Sequence, residues 1–231
     1  MKSKIIPLLM LVVLGGLIGY SFLTVSSLHP GYNLGEFYVQ NSVEDTGAIN
    51  LVAAILFDYR AFDTIGEATV IYTAVSIIML LGPHTSFSFF QGKFNPLVKV
   101  TIGLAMPLIL AAAFYIVFYG HLYPGGGFPG GVILAAGAII FGTTYGITSL
   151  NYKIEPYQLH LLENSGANFL ILIGLAGMLA GSNFLASGQA GFYLGEAGEL
   201  LSSGSIPLFN LGVGIKVGAG LTSIYLSFAR D

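Results

Sequence analysis

"GHLYPGGGFPGG", residues Gly120 to Gly131, decides between two folds. Gly125, Gly127 and Gly130 stand in the G-x-G-x-x-G spacing of a dinucleotide-binding loop, which would make the chain a soluble α/β protein. Such a loop follows a strand, opens a helix of a βαβ unit and is completed by an acidic ribose ligand about 20 residues on. Here apolar stretches lie on both sides, no Lys-Ser/Thr pair offers a phosphate contact, and no acidic residue occurs between Gly131 and Lys153. The alternative is a tight turn between membrane helices, with glycine supplying positive φ and Pro129 lying just before or at the first helical turn, where a missing N–H is harmless. Gly125, Gly126, Gly127, Gly130 and Gly131 are more glycine than a turn needs. They predict close packing of backbone against a neighbour.

Composition settles the choice. The chain of 231 residues is 55% hydrophobic and only 8% charged, with a mean hydropathy of +0.81. So few charges do not cover the surface of a soluble globule. Apolar runs of about 20 residues cross a hydrocarbon core of roughly 30 Å. Clear runs extend over 5–25, 98–119, 131–150, 161–181 and 207–228. The alternating pattern of a membrane barrel is absent. The expected fold is therefore all-α, a polytopic membrane bundle.

The first run follows Lys2 and Lys4, as a secretory signal would, but it lacks a small-residue cleavage site and is expected to be a retained helix. Residues 47–81 are apolar at both ends and interrupted by "FDYRAFDTIGE". The segments 28–46 and 182–206 contain Glu36, Glu44, Asp45, Glu196 and Glu199 but no Lys or Arg, whereas Lys2, Lys4, Lys93, Lys153 and Arg230 lie outside or at the ends of the clear runs. The positive-inside rule gathers those basic residues on one side if 47–81 crosses once, giving six crossings and cytoplasmic termini; a double crossing gives seven. One unbroken helix over 47–81 would be about 50 Å long, so tilt, a kink or a protruding end is expected.

With no cysteine, the chain has no disulfides, thiolate metal sites or iron–sulfur ligands. A net charge of −3 gives no footprint for nucleic acid. Redox cofactors are expected only in partner subunits, and the partners are expected to be other membrane subunits and lipid.

Ionisable residues inside the apolar runs are the candidate functional positions, because an unpaired charge in hydrocarbon costs at least ~2.5 kcal/mol. Arg60, Asp63 and Glu67 share one helical face at i, i+3, i+7, while Asp58 points elsewhere. Arg60 is expected to pair with Asp63, leaving Glu67 one turn deeper as a spare carboxylate for protons or Na+. The alternative is a water-exposed helix end or a neutralised packing network. Lys216 lies near the middle of the last run, among Gly212, Gly214, Gly218 and Gly220, and suits either a structural ion pair or a proton relay. His160 and Glu163 share a face, extended by Asn164 and Asn168, which suits cation binding, proton relay or an interfacial belt. His121 reads as an interfacial or turn-stabilising residue. Small-xxx-small pairs at Gly15/Gly19, Gly142/Gly146 and Gly177/Gly181 add possible helix contacts. No catalytic residue and no bound metal are expected.

These residues carry a resemblance. "GHLYPGGGFPGG" and "IPLFNLGVGIKVGAGL", residues 206–221, resemble the MrpB-like (MnhB-like) subunit of multisubunit Na+/H+ antiporters over residues 94–231. "NLVAAILFDYRAFDTIGEATV", residues 50–70, is similar to the carboxy-terminal region of the MrpA subunit, which stands as a separate small (MbhE-like) subunit in membrane-bound hydrogenase relatives. The resemblance implies two fused regions, 1–93 and 94–231, with a boundary near Lys93 in the Pro- and Gly-bounded stretch 82–96. It further implies a non-catalytic subunit of a cation/proton antiporter module, within a respiratory complex or standing alone, with Glu67 implicated in ion transfer. An intramembrane metal-dependent enzyme using Asp58, Asp63 and Glu67, and an autonomous small transporter, are the readings from other classes.

Overall fold

The computed structural model describes residues 2–27, 33–81 and 94–229. The stretch 82–93 that contains the expected boundary near Lys93, and Arg230, lie outside them. The chain forms two compact units, residues 1–39 and 40–231.

In the first unit, α1 (Lys2–Ser27) is one continuous helix, and its apolar side chains from Leu8 to Thr24 are exposed. The helix α2 (Leu34–Thr46) begins in this unit and ends in the second, where Ser42 and Thr46 are buried.

The second unit is built from five helices long and apolar enough to cross a membrane: α4 (Ala61–Leu81), α5 (Pro96–Phe118), α6 (Gly127–Tyr145), α8 (Pro156–Leu179) and α9 (Ile206–Phe228). Short pieces join or precede them: α3 (Leu51–Ala54) and α7 (Ile147–Lys153). The central helix is α9, whose buried residues run from Ile206 to Leu226 and which packs against α4, α5, α6 and α8. The others present their apolar side chains outward, as expected where the solvent is lipid rather than water.

Segment 47–81 is not one long helix. Asn50 caps α3, its side chain accepting from the amides of Val52 and Ala53. A π-helical turn over Ile55–Tyr59 follows, and Arg60 breaks the helix with φ −126° and ψ 36°. Thr64 Oγ1 donates to the Leu56 carbonyl across the break, restoring one lost partner. A single crossing, α4, starts beyond this kink. The run expected over 131–150 is also divided: α6 ends at Tyr145 and Gly146, at φ +97°, redirects the chain into α7. At its other end α6 starts at Gly127, so Gly127, Pro129, Gly130 and Gly131 are helical while Gly125 and Gly126 form the turn.

Two ends of the second unit are chemically distinct. Asn50 Nδ2 donates to the carbonyls of Gly120 (2.7 Å) and Tyr123 (2.9 Å), and Ser203 Oγ donates to the Gly47 carbonyl (2.9 Å). These bonds join the kinked segment, the α5–α6 turn and the α8–α9 connection at one end, where Asp45, Asp58, Glu196 and Glu199 lie. Lys99 and Lys153 lie at the opposite end, where α5 starts and α7 finishes.

Candidate functional site

The glycine stretch is built as a helix crossing. Gly126 has φ +136°, open to glycine and strained for other residues. The Gly127 amide, one of the unpaired donors at a helix start, gives its hydrogen to Asn210 Oδ1 of α9 at 2.8 Å. A phosphate cradle would need that amide free. Side chains on Gly127 or Gly131 would run into Val213 or Val217, each 2.8 Å from the position a Cβ would take. Gly127 and Gly131 thus face Gly214 and Gly218, a small-xxx-small pair on each of two helices in contact. Gly130 lies against Val117 of α5, and Gly125 against Ile116.

Beside this crossing, α8 and α9 enclose two ionisable side chains. Gly166 brings α8 onto α9 at Gly212 and Lys216, where a Cβ would stand 3.0 Å from that of Lys216. Lys216, midway along α9, is 1% exposed, and Glu163 on α8 is 3% exposed. Among the described residues, neither Lys216 Nζ nor Glu163 Oε1 has a hydrogen-bond partner, and no salt bridge joins them. Lys216 Nζ lies 5.3 Å from the centroid of the Tyr72 ring of α4, within cation–π range. Glu163 approaches α9 one turn further along, where its Oε1 would be 3.2 Å from a Cβ on Gly220.

Lys216 opens onto a cleft of about 320 Å³ between α4, α8 and α9, whose polar lining is Thr69, Tyr72, Asn164 and Asn168. On the Glu163 side, half-buried His160 lies near Ser223 and Ser227 of α9; Ser223 Oγ is buried without a partner among the described residues. The helical repeat makes this one file. His160, Glu163, Asn164 and Asn168 line α8, and Lys216, Ser223 and Ser227 line α9. Hydroxyl, imidazole, carboxylate, ammonium and amide groups are thereby arranged through an otherwise apolar interface.

The charged run around α4 lies apart from this file. Arg60 pairs with Asp63, and both side chains are exposed. Glu67 is exposed as well, turned away from the core of its own unit. Asp58 lines a different cavity, about 450 Å³, with Asp45, Tyr59, Asn183 and Gln189. Tyr59 donates to Asp45 at 2.6 Å. Burial, reinforced by the Asp45 charge, pushes the Asp58 carboxyl up to about 6. Among the described residues no three His, Cys, Asp or Glu side chains are grouped to hold a metal ion. Asp58, Asp63 and Glu67 therefore do not form the shared centre that a metal-dependent enzyme would need.

His121, fully buried in the α5–α6 turn, also stands apart. Burial pushes its pKa below the usual imidazole value, against the opposite pull of the carbonyls of Glu199, Leu200 and Phe118. Spacing along the chain flagged Lys216, Glu163 and His160. It gave no sign that Lys216 and Glu163 are neighbours, or that Asn210 and Asn50 hold the glycine turn. An Asn placed inside the last apolar run was the signal the sequence offered for Asn210.

Two stretches of the chain match known families. Residues 97–223 match the model of a domain related to the MnhB subunit of Na+/H+ antiporters, and residues 6–85 match that of MbhE, a subunit of MBH. An uncharacterized protein of Methanocaldococcus jannaschii is 31% identical, over 91% of this chain and 86% of its own length. A B-type subunit of the Na+/H+ antiporter of Alkalihalophilus pseudofirmus is 29% identical, over 54% of this chain and 85% of its own length. Among solved structures, a chain of the membrane-bound sulfane sulfur reductase, an archaeal respiratory membrane complex, matches over 100% of both chains at 26% identity with a TM-score of 0.74. A chain of the Mrp complex from a Dietzia species shares the fold, with a TM-score of 0.69 at 23% identity; all of this chain matches 26% of that one.

Proposed function

This chain belongs to the family of domains related to the MnhB subunit of Na+/H+ antiporters, and from that premise we propose that it carries part of an ion path through its own α8–α9 interface. It is a multi-pass membrane protein, a subunit of an Mrp-type antiporter module whose partners are other membrane subunits. Residues 1–93 form the MbhE-like region and 94–231 the MnhB-like region. The chain is non-catalytic, and redox cofactors belong to partner subunits.

One observation carries the ion-path reading. Glu163 and Lys216 are buried in facing membrane helices without hydrogen-bond partners among the described residues. Charges in such a place are costly, and a proton moving from the Lys216 ammonium to the Glu163 carboxylate neutralises both groups while its return recharges both. His160 and Ser223 continue the file towards one membrane face, and Asn164, Asn168 and Tyr72 towards the cleft on the other side. Glu67 faces outward, so its part in ion transfer is shared with a neighbouring subunit.

The respiratory setting is favoured because the sulfane sulfur reductase chain matches from end to end, whereas the B-type antiporter relative covers little more than half of this chain. Both termini are cytoplasmic: Lys99 and Lys153 mark that side of the second unit, and Lys2 and Lys4 mark it for the amino terminus.

Lys216→Met and Glu163→Gln, singly and together, test the path in inverted vesicles. The single variants are expected to lower cation-coupled proton movement at least about tenfold while the complex assembles normally on a native gel. A structural pair behaves differently. Each single change would then destabilise the complex, by ~3–5 kcal/mol, and the double variant would restore both assembly and transport; that result rejects the relay.

A further inference from the structure

The geometry points to a binding site for an anionic phospholipid on the face of the second unit opposite the polar cleft, one acyl chain lying between α5, α6 and α8 and the phosphate meeting Lys153. This inference is independent of the ion path. A groove of about 700 Å³ opens there, walled by Met106, Leu110 and Phe114 of α5, Phe141 of α6 and Leu162 of α8, with Ile215 of α9 in its floor. That volume falls in the range of roughly 300–1,000 Å³ typical of pockets that bury a small ligand. The lining is apolar almost throughout. Thr222 contributes a hydroxyl that is already donated to the Gly218 carbonyl, and Lys153 is the one charged side chain lining it among the described residues.

Length identifies the occupant. Along α5 the lining extends from Gly103 to Phe114, about 16 Å at 1.5 Å per residue. That is close to half of the roughly 30 Å hydrocarbon core, the depth of one leaflet. A partner's membrane helix needs a seam across the whole core; an acyl chain needs only this. The charge stands at the correct end. Lys153 closes α7, its Nζ 5.9 Å from the Phe141 ring centroid, with a stem long enough to reach the headgroup level. Lys99 precedes Gly103 by one helical turn and lies on the same face of α5, and its carbonyl accepts from Tyr145 Oη, which ties the start of α5 to the end of α6. Glu155 is the nearby carboxylate; it is exposed, stands at the start of α8 and does not line the groove. The Lys153 ammonium at the mouth of a leaflet-deep apolar channel, with Lys99 one turn beyond the lining on α5, matches a phosphate attached to an acyl chain.

The complex, purified through a tag on this chain and placed in nanodiscs, is exposed to trace phosphatidylglycerol or phosphatidylcholine carrying a photoactivatable group near the acyl terminus. Adducts are mapped by mass spectrometry. Phosphatidylglycerol is expected to label α5 around Leu110 and Phe114 about fivefold more than phosphatidylcholine, and Lys153→Gln is expected to bring the two lipids to parity. Ala138→Phe, which fills the groove and keeps the lysine, is expected to abolish labelling from both. Should the Lys153 variant fail to assemble, native mass spectrometry of the unaltered complex decides by whether phosphatidylglycerol is retained in preference. Equal labelling by the two lipids would mean bulk lipid only, and adducts replaced by cross-links to another subunit would mean a polypeptide fills the groove; either overturns the inference.

Discussion

Asp58 shares its cavity with Asp45, and the proton that Asp58 holds makes the fold sense pH. With its pKa pushed up to about 6 by burial and by the Asp45 charge, Asp58 keeps its proton in the folded chain where the unfolded chain, near the usual 3.8, has lost it. The folded state therefore binds more protons between about pH 4 and 6. Its contribution to stability is full below about pH 4 and is lost as pH rises through 6. Asp58→Asn removes the titration, so the variant should hold a flatter thermal-unfolding midpoint across that window in detergent while the unaltered complex declines. A parallel decline in both would show that Asp58 does not titrate there. The sequence marked Asp58 as unusual through its place in an apolar segment. It did not reveal Asp45 as its neighbour, because the approach depends on the π-helical turn and the break at Arg60, and those follow from packing rather than from local pattern.

At the scale of elements, the crossing of α6 over α9 rests on absent side chains and on the hydrogen bond that the Gly127 amide donates to Asn210 Oδ1. Gly131→Leu would press a side chain into Val217 and the Gly214 carbonyl, each within 2.9 Å of the added Cβ. The helices must separate, at a cost of ~1–3 kcal/mol or more. Asn210→Leu leaves the Gly127 amide buried without an acceptor, which costs another ~1–3 kcal/mol. Gly66→Ala is the control, since nothing lies within 4 Å of its Cβ position. Thermal melting of the purified complex should rank the first two well below the control; three equal midpoints would show that the crossing contributes little. Much of this was legible in advance. Long apolar runs specify helices because lipid leaves backbone amides no other partner, and the density of glycine at 125–131 predicted close approach. Which helix is approached was not legible. Gly214 and Gly218 stand more than 80 residues from their partners, and nothing in spacing links them. The division at Gly146 was missed for another reason: the apolar character of 131–150 continues across it, and only the positive φ of one glycine breaks the helix.

For the whole molecule, the sidedness of charge predicts how the second unit sits in the bilayer. Its basic end carries Lys99 and Lys153 and its acidic end Asp45, Asp58, Glu196 and Glu199, with Arg60 there paired to Asp63, so the positive-inside rule predicts the α6–α8 connection in the cytoplasm and the α8–α9 connection outside. In that orientation His160 lies towards the cytoplasmic end of α8, and Lys216 lies about 15 Å from the outer end of α9, so the proposed ion path spans the layer where the two leaflets meet. The chain contains no cysteine, so an introduced cysteine is the single maleimide site on this chain. Tyr152, 92% exposed on α7, and Tyr193, 75% exposed in the α8–α9 connection, mark the two ends. With Tyr152→Cys, a membrane-impermeant maleimide should label inverted vesicles and leave intact cells unlabelled; with Tyr193→Cys the pattern should reverse. Labelling of both from the same side would deny that α8 crosses. A full exchange of the two patterns would place Lys153 and Lys99 outside, turn the Glu163 end of the polar file to the exterior, and require the direction of proton entry along it to be reversed.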